Sequence, residues 1–229
     1  MWKELIDIFR GKDAPLEEVA TEFRAMLELT REMSDLVRPH IFEGALPMDV
    51  RRRVYELDVE VNKLERSVRK RLITHLSLRP SHVPYSLLLI SMSKDAERVG
   101  DYVKNIAEVG DLGGGTVPDG ELRDELSDLI SVADRLHREV AGVLDAQARE
   151  RAIELVQLGR TAGKRCDRLV GAIATSDLPA AQVTALVLLT RFYKRLGAHL
   201  VNILSSVIMP VHKVDFFDES ELGDGQRFD

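Results

Sequence analysis

The chain has 229 residues, 45% apolar and 31% charged, with a formal net charge of −6. That apolar share can bury a core and excludes a disordered chain, while the negative balance argues against non-specific nucleic-acid binding, which needs a broad positive field. Aromatic residues make up only 5%, and a mixture dominated by Leu, Val, Ala, Glu, Asp and Arg suits helices better than sheets.

Met1 to Arg10 reads as a short amphipathic segment, with Trp2, Leu5, Ile6, Ile8 and Phe9 apolar. It suits a lid packed on its own domain, a membrane surface or a partner. Asp13-Ala14-Pro15, followed by Glu17 and Glu18, is a helix-start signal. Apolar positions from Leu16 to Val37 then recur at three and four until Arg38-Pro39, where proline ends or kinks the helix. A second helix is expected after Leu46-Pro47-Met48-Asp49, running to about Leu78, with Val54, Leu57, Val61, Leu64, Val68, Leu72, Ile73 and Leu76 among its apolar positions. Its basic clusters, Arg51 to Arg53 and Lys63 to Arg71, are either contact patches or a solvated face. Arg79-Pro80 to Pro84 is the next break, and a third helix stops near Gly110.

Leu112-Gly113-Gly114-Gly115-Thr116-Val117-Pro118 lies almost at the midpoint and reads as a join. Three more helical patterns follow, over roughly 119–145, 147–175 and 179–208, the last opened by Thr175-Ser176-Asp177-Leu178-Pro179 and closed by Met209-Pro210. Phe216 to Asp229 is acidic and expected to fray. No segment shows the period-two alternation of a strand. The expected fold is all-α, two tandem three-helix bundles: a first repeat over 1–111, a linker over 112–118, a second repeat over 119–210 and an acidic tail over 211–229.

Cys166 is the single cysteine, so no internal disulfide can form and a reducing compartment is favoured. Lys164 and Arg165 could lower its pKa, but no catalytic constellation accompanies it, so it reads as structural. The N-terminus lacks the apolar core of a signal peptide. No stretch approaches the roughly 20 uninterrupted apolar residues of a membrane helix. A soluble, cytoplasmic protein is the expectation.

The three-plus-three count suggests an internal repeat. Shifted by 97 residues, Glu97-Arg98-Val99-Gly100-Asp101-Tyr102-Val103-Lys104-Asn105-Ile106 falls on Lys194-Arg195-Leu196-Gly197-Ala198-His199-Leu200-Val201-Asn202-Ile203. Arg98, Gly100 and Asn105 recur as Arg195, Gly197 and Asn202 and form a common frame. Each glycine costs about 1 kcal/mol inside a helix relative to alanine, so close approach of a neighbouring helix is expected at both. The carboxylates do not recur: Glu97 and Asp101 become Lys194 and Ala198.

Glu97 and Asp101 are four apart and share one helix face, where like charges repel unless a cation bridges them. Carboxylate oxygens suit magnesium, calcium, manganese or iron. Two ligands are too few for a tight site, and Asp58, Asn62, His75 and His82 are the neighbouring candidates. The competing reading is that both carboxylates pair with Lys94, Arg98 or Lys104 as surface charges. There is no Cys/His set at zinc spacing, no phosphate loop and no nucleophile elbow, and Gly113 to Gly115 does not follow a strand. Nothing points to an enzyme.

The stretch from Glu97 to Glu108 resembles the Glu-Arg-Ile-Gly-Asp…Asn-Ile-Ala signature of PhoU proteins, and the length and the two repeats extend that resemblance over nearly the whole chain. It implies two homologous three-helix bundles side by side, often dimerising, in a non-enzymatic regulator of phosphate uptake and phosphate-starvation signalling. The implied partners are the ATPase of a phosphate ABC transporter and a sensor histidine kinase, with membrane association only through them and no nucleic acid. It also implies iron or zinc clusters held by Glu/Asp-x-x-x-Asp motifs, a role that falls here on Glu97 and Asp101, with Asp58 as a further ligand. The second repeat, with Lys194 and Ala198, is expected to lack its metal. An early Asp-Leu-Arg motif of the family is replaced by His82-Val83-Pro84 and Pro179-Ala180-Ala181, which removes one acidic ligand and leaves His82 as its stand-in. The alternative function is an accessory subunit of another ion or phosphate permease. A metal-carboxylate bundle enzyme would need Glu-x-x-His motifs on paired helices, and the sequence offers none.

Overall fold

The computed structural model describes residues 14–79, 82–112, 116–209 and 214. Six long helices account for most of them: α1 (Ala14–Val37), α2 (Met48–Leu78), α3 (Val83–Glu108), α4 (Glu121–Ala146), α5 (Arg149–Ala174) and α6 (Ala180–Ser205). No strand occurs among the described residues. The N-terminal amphipathic segment, Asp13 of the first start signal, Gly113 to Gly115 of the join and the acidic tail from Asp215 onward lie outside them.

Each helix buries the stripe that its periodicity marks. On α1, Leu16, Val19, Phe23, Met26, Leu27, Met33 and Val37 are buried; on α2, Val54, Leu57, Val61, Val68 and Leu72. Ile73, an expected core position of α2, is instead 63% exposed. It directly follows the buried Leu72, and at about 100° from it around the axis Ile73 falls outside the stripe that Val61, Val68 and Leu72 bury.

Prolines set the boundaries through their fixed φ and missing N–H. α1 ends at Val37 and tightens into a 3-10 turn over Arg38–His40, with Pro39 inside it. Pro84 lies within the first turn of α3, so the sequence break at 79–84 already contains the helix start. Pro179 is the N-cap residue of α6, its carbonyl accepting from Gln182 and Val183 N–H, and no side chain caps that end. α4 closes differently: Gln147 adopts a left-handed conformation (φ 50°), and Ala148 N–H returns to Val143 O at 3.1 Å. At the end of α3, a Cβ on Gly110 would sit 2.1 Å from Gly44 O, so glycine is required where the α1–α2 connection crosses it.

α1, α2 and α3 pack on one another, and α4, α5 and α6 do the same; α3 against α6 joins the two sets, with a smaller contact between α1 and α4. The fold is two three-helix bundles side by side. Among the described residues no helix is long and apolar enough to cross a membrane.

Candidate functional site

The candidate carboxylates lie where α2 and α3 meet. Asp58 on α2 and Glu97 on α3 keep only 10% and 13% of their side-chain surface exposed. Lys104, one turn beyond Asp101, donates from Nζ to Asp58 Oδ2 at 2.9 Å and to Asp101 Oδ1 at 3.4 Å. Asp58 also accepts from Asn62 Nδ2 at 3.4 Å. Arg98 Nη1 donates to Asp101 Oδ2 at 3.0 Å, and Lys94 Nζ to Glu97 Oε2 at 2.7 Å. Further along the same seam Tyr55 bonds Glu108 and Arg51 bonds Asp111. Burial pulls the Lys104 ammonium toward its neutral form, but the hydrogen bond and charge of Asp58, with the charge of Asp101, outweigh it and hold the pKa above the usual lysine value.

Metal coordination needs several oxygen lone pairs aimed at one point. Here Asp58 and Asp101 aim theirs at an ammonium, and no cluster of three or more His, Cys, Asp or Glu among the described residues could hold a metal ion. As arranged, Glu97, Asp101 and Asp58 do not fit one. His82 does not complete the set. Its Nδ1 faces His75 Nε2 at 2.9 Å, and it precedes Glu97 by some four helical turns, about 22 Å at 1.5 Å per residue.

The second bundle repeats the theme with other residues. Lys194, at the register of Glu97, places Nζ 2.6 and 2.5 Å from the two carboxylate oxygens of Asp167 on α5, and Arg191 joins at 3.2 Å. Beside it runs a narrow slot lined by Gly159, Ala162, Gly163, Cys166 and Gly197. Burial pushes the Cys166 thiol up to about 11, against the lowering expected from its basic neighbours, so it stays protonated and serves as packing.

The frame residues separate in role. A Cβ on Gly100 would meet Thr30 Cγ2 at 3.3 Å and Met33 Sδ at 3.8 Å, the close approach its cost calls for, whereas one on Gly197 would meet nothing within 4 Å. Gly197 is therefore not there for tight packing. Asn202 Nδ2 donates to Asp95 Oδ1 at 3.3 Å, Asn105 is half-buried, Arg98 pairs with Asp101 and Arg195 is exposed.

Asp95 is the functional-looking residue that periodicity does not mark. It is 8% exposed, and His199 Nδ1 lies 2.7 Å from its Oδ1 across the α3–α6 contact. The ring of His199 stacks on Tyr102 at 5.6 Å, and Tyr102 meets Phe192 at 6.1 Å. The 97-residue shift carries Asp95 onto Phe192 and Tyr102 onto His199. The contact Asp95–His199 thus maps onto Phe192–Tyr102, and the two bundles meet about an approximate two-fold axis. A second buried contact spans them, Thr30 Oγ1 on α1 with His137 Nε2 on α4 at 3.0 Å.

Fold and site define an all-helical protein of paired three-helix bundles, its carboxylates held in ion pairs. Comparison with known proteins agrees. Residues 23–110 match the PhoU domain. The chain is 26% identical over 215 residues to a phosphate-specific transport system accessory protein PhoU homolog of Pseudomonas putida, covering 89% of this chain and 81% of that protein. A homolog of the same description from Pseudomonas aeruginosa is 24% identical over 224 residues, covering 90% of this chain and 91% of that one. The crystal structure of PhoU from Pseudomonas aeruginosa superposes with a TM-score of 0.75 at 21% identity, over 87% of this chain and 98% of that one. The phosphate transport system regulatory protein PhoU of Streptococcus pneumoniae gives 0.70 at 14% identity, over 84% and 92%. This chain is similar over most of its length to PhoU proteins, which are non-enzymatic regulatory proteins known to bind metal ions.

Proposed function

We propose that this chain is a cytoplasmic regulator of phosphate uptake and phosphate-starvation signalling, acting by contact with the ATPase of a phosphate ABC transporter, a sensor histidine kinase, or both. The observation that carries this reading is similarity over 90% of this chain and 91% of a phosphate-specific transport system accessory protein homolog. The outer face of the first bundle supports it. Tyr55, Val59 and Ile73 on α2, with Leu78, Val83 and Leu87 at the α2–α3 corner, are exposed apolar residues of the kind that contact surfaces use. Within the proposal, residues 1–111 and 119–210 are the two repeat units, 112–118 their linker and 211–229 an acidic tail. The working form is a homodimer, and the membrane is reached only through partners. A strain lacking the gene should express phosphate-scavenging functions in high phosphate; normal repression in that strain would overturn the reading. The second reading is an accessory subunit of another ion or phosphate permease, and affinity purification that recovers a secondary transporter with no ATPase or kinase would favour it. Iron or zinc on Glu97, Asp101 and Asp58 enters this proposal only as an alternative occupant, which has to displace Lys104 from the same oxygens.

A further inference from the structure

We propose that this chain supplies its own cations to the carboxylates of both bundles, Lys104 in the first and Lys194 in the second, and works without bound metal. The inference goes beyond the phosphate reading and does not depend on it. In each bundle a lysine on the third helix is hydrogen-bonded to an aspartate on the second: Lys104 to Asp58, and Lys194 to Asp167. The two lysines are not repeat equivalents. Lys104 corresponds to Val201, and Lys194 to Glu97. The same pairing is therefore reached from two different registers, and inheritance of one repeated residue does not account for it.

Charge balance points the same way. In the first bundle Asp58, Glu97 and Asp101 face Lys104, Lys94 and Arg98, so a divalent ion would add positive charge to a set already neutral. In the second, Asp167 already faces two cations, Lys194 and Arg191. An ammonium has three donors, which suits carboxylates converging from two helices. Space for the Lys194 stem comes from helix α5, where a Cβ on Gly163 would come within 3.9 Å of Lys194 Cε.

The test uses the full chain, produced in medium supplemented with iron and zinc. Elemental analysis of the purified wild type should find well under one metal ion per chain, and EDTA should leave its thermal midpoint unchanged. Lys104→Ala should lower that midpoint by several degrees in EDTA-treated protein, and Lys104→Arg, which keeps a cation, should restore most of the loss. Stoichiometric iron or zinc in the wild type that disappears in Glu97→Ala/Asp101→Ala would overturn the proposal. So would a fall in the wild-type midpoint on chelation, or a Lys104→Ala protein as stable as the wild type. If Lys104→Ala fails to fold, the wild-type measurements decide alone. A failed phosphate-derepression assay would leave all of these readings standing.

Discussion

At Gly100 an added methyl group would press on Thr30 Cγ2 at 3.3 Å, while at Gly197 it would enter open space. Alanine gains about 1 kcal/mol over glycine in a helix interior. Gly197→Ala should therefore stabilise the protein by up to about that amount, whereas at Gly100 crowding should cancel the gain or reverse it. Urea denaturation of the two variants checks this, and equal losses at both positions would mean a shared packing role after all. The acidic pair itself was legible, because a four-residue spacing fixes a common helix face. Its neutralisation by Lys94 and Arg98 was legible as an alternative, since both lie three residues from their acids. The Asp58–Lys104 contact was not. It joins two helices, and the register of one helix against another is not written in the periodicity of either.

At the scale of elements, proline and apolar spacing gave the six helices of the described residues, but not which buried polar groups would meet. His137 on α4 and Thr30 on α1 are such a pair. The Thr30 hydroxyl donates to Leu27 O at 3.1 Å, which leaves its oxygen to accept from His137 Nε2 at 3.0 Å. Burial, helped by Arg31 and Arg138 and opposed by Asp134, lowers the His137 pKa from 6.5 to about 4. The unfolded chain takes up this proton near pH 6.5 and the folded chain only near 4, so stability is fully present above pH 6.5 and is lost as the pH falls through that window. At 1.36 kcal/mol per unit the loss approaches about 3 kcal/mol. Chemical denaturation from pH 7 to 4 should show it, and His137→Gln, which cannot take up the proton, should flatten that part of the profile. A variant with the wild-type slope would remove His137 as its source.

At the scale of the molecule, the recurring arginine, glycine, asparagine and isoleucine made two bundles readable, but the α3–α6 seam that joins them was not. Its polar half depends on Asp95, which has no counterpart carboxylate in the second copy. Residues 1–111 and 119–229 produced as separate chains in one cell should reassociate through this seam and co-purify, and Asp95→Ala should weaken their recovery. Independent elution of the two unmutated pieces would show that the seam cannot hold without the covalent join. The approximate two-fold axis also bears on which surfaces can pair. Were two copies of the first bundle to meet about it, each Asp95 would confront the other copy's Tyr102 and lose the imidazole that now satisfies it; two copies of the second would set Phe192 against His199. Each bundle on its own is a poor match for itself and a good match for the other, so a newly made chain is steered toward closing on its own second half instead of onto a neighbouring molecule.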